Sequence, residues 1–61
     1  MDTKRLRLKT GATQKEFAQA IGVSEQCVVL WETGKRVPRA SSLKRIIAYC
    51  KEHGIKYLED F

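Results

Sequence analysis

The chain has 61 residues, enough for one domain with a small core, because a domain of this size buries only about 60% of the surface that its unfolded chain exposes. Twelve Lys and Arg against seven Asp and Glu give a formal net charge of +5, which favours an anionic partner. The charge is uneven, since residues 1–45 carry a net +6 and residues 46–61 a net −1. This distribution indicates one face for nucleic acid and a tail with a different role.

The sequence also excludes several classes of protein. Cys27 and Cys50 are too few for a disulfide framework or a zinc site, and we expect both to be reduced in a cytosol. No run of 18 apolar residues and no signal-peptide pattern occurs in the sequence, so we expect a soluble, cytoplasmic, nucleoid-associated protein without a membrane partner. Because the sequence has no nucleophile–base pair, metal-ligand cluster or phosphate-binding glycine loop, we expect no enzymatic activity, cofactor or metal.

The hydrophobic pattern predicts an all-α fold. No stretch alternates apolar and polar residues as a half-buried strand would. Glycines divide the sequence into helix-sized pieces at Gly11, Gly22, Gly34 and Gly54. The first helix is predicted over Thr3–Lys9, with Leu6 facing inward and the orientation of Leu8 left open.

The second helix has the clearest start signal. Thr13 and Glu16 have the spacing of a capping box, in which each side chain bonds the other residue's backbone amide. One buried stripe is predicted from the apolar residues Phe17, Ala18 and Ile21. Gly22 is predicted to end this helix and to permit a sharp turn.

Ser24 is predicted to cap the third helix. Val28 and Trp31 lie three residues apart in it, so we expect both to face the core. Residues 35–39 are predicted to form a basic, irregular loop, because Pro38 disfavours helix at the residue before it.

The fourth helix is predicted to begin with Ser41 or Ser42 as its cap and to end at Gly54, extended by Lys51, Glu52 and His53. Its predicted inward residues are Leu43, Ile46, Ile47 and Cys50. A last short apolar turn or helix is predicted from Ile55, Tyr57, Leu58 and Phe61.

Residues 13–34 read TQKEFAQAIGVSEQCVVLWETG and are followed by KRVP. This segment resembles the lambda-repressor-like helix-turn-helix family, which contains the Cro, repressor and Xre-type regulators. The resemblance implies a small all-α DNA-binding domain of four to five helices spanning residues 1–61, with its helix-turn-helix at about 13–34. It also implies that a recognition helix, residues 24–33, enters the major groove of double-stranded DNA.

The resemblance assigns roles to particular residues. Gln14 matches a glutamine that bonds a phosphate and braces the recognition helix, and Glu25 and Gln26 lie where the family reads bases. Val29 is expected to contact a thymine methyl group. The amides around Thr33 are expected to meet phosphates together with the basic loop. The expected DNA-contacting set is Gln14, Ser24, Glu25, Gln26, Val29, Thr33, Lys35, Arg36 and Arg39.

Two further expectations concern residues away from the DNA. Arg7 and Glu32 match a family ion pair that ties the first helix to the end of the third. Leu30 is more apolar than relatives at its position, and packing against Leu8 is one interpretation. The apolar tail is expected either to cap the monomer core or to form a homodimer interface, through Tyr57, Leu58 and Phe61.

The function predicted from these features is that of a sequence-specific transcriptional regulator, a repressor of phage, prophage or bacterial type. Two alternatives remain open at this stage. One is an antitoxin that binds a toxin through its tail. The other is a protein-interaction module that has lost DNA reading, which Glu25, Val29 and Leu30 make conceivable because an acidic and apolar face suits a phosphate-lined groove poorly.

Overall fold

The computed structural model describes residues 1–60, and Phe61 lies outside the described residues. Its elements are α1 (Thr3–Thr10), α2 (Gln14–Ile21), α3 (Glu25–Glu32), α4 (Ala40–Glu52) and a C-terminal 3-10 turn (Leu58–Asp60). No strand occurs within residues 1–60, and the predicted all-α fold with a central helix-turn-helix is confirmed. None of the helices in this range has the length and apolar character needed to cross a membrane.

Local capping explains where the first three helices begin. Asp2 caps α1, because its side chain accepts a bond from the Arg5 amide. The predicted capping box is present at α2, with Thr13 and Glu16 bonding each other's amides at 3.1 and 2.9 Å. Ser24 caps α3, as predicted. These starts depend on side chains within three residues of each helix.

Helix α4 begins earlier than the sequence predicts. Its N-cap is Arg39, which has an extended backbone, and the helix starts at the next residue. The prediction that Ser41 or Ser42 caps this helix is therefore wrong, since both serines lie inside the first turn. The loop before α4 is anchored by the buried Pro38. This anchor places the start of the helix at Ala40, two residues after Pro38 and ahead of the start that the capping preference of serine indicates.

The core lies where the four helices meet. Its buried side chains are Leu6, Phe17, Ala18, Ile21, Val28, Ile46 and Cys50. Trp31 is only partly buried and packs against this cluster rather than within it. Leu8 remains 59% exposed and lies about 200° around α1 from the buried Leu6, so the structure gives no support to its packing against Leu30.

The turn between α2 and α3 sets the angle of the helix-turn-helix. Gly22 has a φ of 87°, in the left-handed region that a side chain disfavours. A Cβ at this position would also lie 3.1 Å from a guanidinium nitrogen of Arg45, which donates to the Ile21 carbonyl at the end of α2. The Arg45 side chain of α4 thus lies against the turn, and the glycine leaves room for it.

The C-terminal 3-10 turn is fastened to α1 by charge. The Asp60 carboxylate is 1% exposed, accepts a hydrogen bond from Lys9 Nζ at 2.8 Å and forms an ion pair with Arg5 Nε at 3.2 Å. Lys9 also bonds Glu59, and the hydrogen bonds to Asp60 and Glu59 raise the pKa of Lys9. The Asp60 carbonyl accepts from the Asp2 amide at 2.7 Å. The two ends of the described chain are therefore joined.

The tail divides between core and solvent. Ile55 and Tyr57 pack against the core cluster, whereas Leu58 is 79% exposed. The prediction made for Phe61 lies outside the described residues.

We expect Asp60→Asn to lower the free energy of unfolding by about 1–2 kcal/mol, because it removes charge-assisted hydrogen bonds from a buried acceptor. Glu59→Gln is the matched control. It also removes one negative charge, but its side chain is 53% exposed, so the loss should be clearly smaller than that of Asp60→Asn. Urea unfolding followed by circular dichroism measures both. Equal losses would show that the burial of Asp60 contributes nothing.

Candidate nucleic-acid interface

Helix α3 has one face in the core and the opposite face open. Successive residues of a helix are about 100° apart, so Gln26 and Leu30 lie opposite the buried Val28. Glu25 and Val29 lie one turn apart on the flank that leads to Glu32. Gln26 and Glu25 are exposed, and Val29 and Leu30 are half-buried. The open face therefore combines two polar side chains at its start with two apolar ones in the next turn.

The first turn of α3 has groups suited to a nucleic acid. Ser24 Oγ accepts from the Cys27 amide at 3.3 Å, which leaves its own hydroxyl proton to donate elsewhere. The Gln26 amide has donors and an acceptor side by side, and the Glu25 carboxylate only accepts. These three side chains offer a mixed set of donors and acceptors at one end of the helix.

The turn after α3 is bonded back to that helix. The Thr33 hydroxyl donates to the Val29 carbonyl at 2.9 Å and also lies 3.3 Å from the Leu30 carbonyl. The amides of residues 33–36 also donate to carbonyls of α3. These groups therefore have acceptors inside the protein, and the phosphate contact expected for Thr33 and its neighbours stays a prediction.

Positive charge in this region is carried by the side chains of the loop. Lys35, Arg36 and Arg39 are exposed, and none forms an ion pair with another residue in the range 1–60. Val37 between them is 81% exposed, and Pro38 is buried. The loop is thus anchored by the buried Pro38 and by the amides of Lys35 and Arg36, and it presents three cations beside the end of α3.

Most acidic side chains are engaged elsewhere in the fold. Five of the seven accept hydrogen bonds as helix caps or ion-pair partners, namely Asp2, Glu16, Glu32, Glu59 and Asp60. Only Glu25 and Glu52 have no such bond within the described part of the chain. Glu25 is therefore the one unpaired carboxylate on the open face of α3.

The Glu32 carboxylate joins three helices. Arg7 from α1 donates to it twice, from Nε at 2.7 Å and from a terminal nitrogen at 3.1 Å, so the ion pair expected between these residues is present. Gln14, the first residue of α2, donates from Nε2 to Glu32 Oε1 at 3.2 Å. Arg7 also donates to the Ala12 carbonyl at 3.0 Å. The end of α3 is therefore held against the last turn of α1 and the start of α2.

This arrangement shifts the protonation of both charged partners. Burial raises the pKa of Glu32, but hydrogen bonds from Arg7 and Gln14 and the charge of Arg7 outweigh it and hold the pKa below its usual value. The hydrogen bond to Glu32 raises the pKa of Arg7. Both groups are therefore charged at neutral pH.

Sequence reasoning left two features of this surface unspecified. Leu30 was placed on the acidic and apolar face but not among the expected DNA contacts, although it lies one turn beyond Gln26. The resemblance implied that Gln14 braces the recognition helix, but no local pattern indicates that its partner is Glu32, 18 positions along the chain. Within residues 1–60, no group of three or more His, Cys, Asp or Glu side chains is placed to hold a metal ion.

We expect stability to fall as the pH is lowered through the acid range, partly through Glu32. Because folding lowers its pKa, its contribution is complete above the ordinary value of 4.5 and is lost as the pH falls below it. Glu32→Gln should cost about 2–4 kcal/mol at pH 6, since Arg7 is left without its charged partner. The variant should also lose less stability than the parent between pH 5 and pH 3.

Thermal or urea unfolding at several pH values measures this difference. Glu52→Gln is the control, because it removes the same charge from an exposed carboxylate that accepts no hydrogen bond within residues 1–60, and its stability at pH 6 should stay close to that of the parent. If the curves of the parent and Glu32→Gln run parallel, the ion pair does not account for the acid sensitivity.

Comparison with known families agrees with this geometry. A family profile described as helix-turn-helix matches residues 4–54, which covers α1 to α4 and leaves the C-terminal turn outside the match. Searches of curated proteins and of solved structures give no significant match. The matched region contains the capped α2, the glycine turn, α3 with its open face and the basic loop. The chain belongs to the lambda-repressor/Xre-type helix-turn-helix family of DNA-binding regulators.

Proposed function

We propose that this protein is a sequence-specific repressor of phage, prophage or bacterial type, with α3 as the recognition helix in the major groove of duplex DNA. The observation that carries the proposal is the open face of α3. Its first turn exposes Glu25 and Gln26, while Val28 anchors the helix in the core. A helix in the major groove contacts base edges mainly through its first turns. Polar side chains at that end suit this task.

The chemistry of the open face suggests what it reads. Gln26 can bond N6 and N7 of adenine together, and Glu25 can accept from N4 of cytosine. Glu25 adds negative charge near phosphates, so its value lies in discrimination between bases rather than in affinity. Val29 and Leu30 provide apolar surface for thymine methyl groups.

Phosphate contacts are proposed for Gln14 and Ser24 and for the cations of the loop, Lys35, Arg36 and Arg39. Such contacts fix the position of the helix without reading sequence. The fold engages most of its acidic groups internally, which leaves these cations unpaired. Binding should therefore weaken steeply as salt is raised.

We also propose that the active form is a homodimer assembled through the tail. Leu58 provides exposed apolar surface, and Tyr57 lies next to it. The tail is fixed to α1 by the buried Asp60, so a surface built on it has a defined orientation relative to α3. A two-fold dimer would place two recognition helices on an inverted repeat.

Selection from a random duplex library at about physiological salt tests the regulator directly. We expect enrichment of an inverted repeat whose half-sites lie about one helical turn apart. A single enriched half-site would retain the regulator and reject the dimer. No enrichment over an equally basic control protein would reject sequence-specific regulation. The next experiment would then be a search for protein partners of the tail.

Arg39→Ser should separate stability from DNA affinity. Arg39 is the N-cap of α4 but makes no side-chain cap bond, so serine should raise the free energy of unfolding by about 0.5–2 kcal/mol. The loss of a phosphate-contacting cation should lower DNA affinity and reduce the slope of log K against log salt by about 0.9.

Arg36→Ser is the matched control for this substitution. It removes the same charge from the same loop at a position that caps no helix, so affinity and salt slope should fall without a gain in stability. Titrations at several salt concentrations and thermal unfolding measure both effects. An unchanged salt slope in Arg39→Ser would contradict the proposed phosphate contact.

A further inference from the structure

We propose that Glu32 is a positioning residue for DNA binding, which acts by holding the side-chain amide of Gln14 in the orientation that phosphate binding needs. The inference rests on the phosphate contact of Gln14 in the proposed function and assigns to Glu32 a role beyond its ion pair. It starts from a single contact, the bond from Gln14 Nε2 to Glu32 Oε1 at 3.2 Å.

The contact fixes which end of the Gln14 amide faces Glu32. A carboxylate only accepts hydrogen bonds, so the amide must present its nitrogen to Glu32 and not its oxygen. The acceptor itself is rigid, because the Glu32 side chain is 5% exposed and is held by two bonds from Arg7. The Gln14 amide could otherwise present either its nitrogen or its oxygen to this position, and the contact selects the nitrogen.

One donor of this amide remains for an anion. Nε2 carries two protons, and Glu32 uses one of them. Gln14 is the first residue of α2, where the backbone amides of Gln14 and Lys15 have no acceptor within the helix, whereas Thr13 already caps Glu16. The remaining side-chain proton and these amides belong to one helix turn, which is the kind of end that favours a phosphate.

The negative charge of Glu32 does little to oppose a phosphate at this end. Arg7 neutralises it through a two-bond pairing, with side chains 12% and 5% exposed. The pair therefore supplies a fixed hydrogen-bond acceptor with almost no net charge. A neutral side chain with the same acceptor would lack the pairing that fixes its position.

A double-mutant cycle on DNA affinity tests the proposal, with Glu32→Gln, Gln14→Ala and the double variant. Glu32→Gln should weaken binding by about two- to tenfold, the entropic cost of ordering one long side chain on binding. In the Gln14→Ala background the same substitution should have less than about a twofold effect. The salt slope should not change, because Gln14 is uncharged. An equal loss in both backgrounds, or none in either, overturns the proposal.

The assay is run on a random-sequence duplex as well as on any selected site, since phosphate contacts do not depend on sequence. Binding without sequence preference would reject the proposed repressor, and the double-mutant cycle would still test the role of Glu32. Failure to bind any duplex would overturn both. Asp60→Asn is the control for a merely structural role, because it destabilises the fold through the tail and leaves the contacts among Arg7, Glu32 and Gln14 in place. If it reproduces the Gln14-dependent loss of Glu32→Gln, positioning by the carboxylate is rejected.

A measurement without DNA covers the case in which Glu32→Gln does not fold. Glu32→Asp keeps the charge for Arg7 but withdraws the carboxylate from Gln14 by one methylene, and it replaces Glu32→Gln in the cycle. In nuclear magnetic resonance spectra of the parent, the side-chain amide protons of Gln14 should be shifted from those of the exposed Gln19 and protected from exchange. They should approach those of Gln19 in the variant. Identical behaviour of both glutamines in the parent overturns the proposal.

Discussion

The orientation of the helix-turn-helix depends on one buried charge, the Glu32 carboxylate at the end of α3. A charge that is 5% exposed is tolerated only with partners, and its partners come from α1 and α2. Arg7 and Gln14 can reach it together only if the last turn of α1 and the start of α2 meet the end of α3. The requirement to satisfy one charge therefore fixes the relative positions of three helices of eight residues each.

Such short helices have little stability of their own, so tertiary contacts decide how α3 is presented. Val28 anchors its inner face in the core, and Glu32 anchors its end. Between these anchors, the opposite face meets no other helix at Gln26, and Leu30 stays half-buried. Helix α3 is therefore both fixed and accessible. Val28 and Glu32 hold its inner side and its end, and the opposite face carries neither anchor.

The sequence predicts what depends on near neighbours and misses what depends on distant ones. The capping box of Thr13 and Glu16 and the order of four helices follow from spacing over a few residues, and the structure contains both. The cap of α4 at Arg39 was missed because buried packing of the preceding loop moved the start of the helix. The bonds of Gln14 to Glu32 and of Asp60 to α1 join distant residues, and no period in the sequence encodes them.

The distribution of charge links stability to binding. Each carboxylate that caps a helix or pairs with a cation stabilises the fold and is also withdrawn from the surface that faces DNA. Asp60 and Glu59 use Arg5 and Lys9 at the tail, so the acidic end of the chain neutralises cations of α1 and leaves those of the loop unpaired. The cations beside the end of α3 thus keep their charge free of acidic partners within residues 1–60. Glu25 is the exception on this surface, a carboxylate at the start of α3 that has no ion-pair or hydrogen-bond partner within residues 1–60, where the helix dipole favours it and phosphate does not. In the function proposed above, a group that weakens affinity at that position contributes by rejecting the wrong bases, which separates the reading of sequence from the cations that hold the backbone.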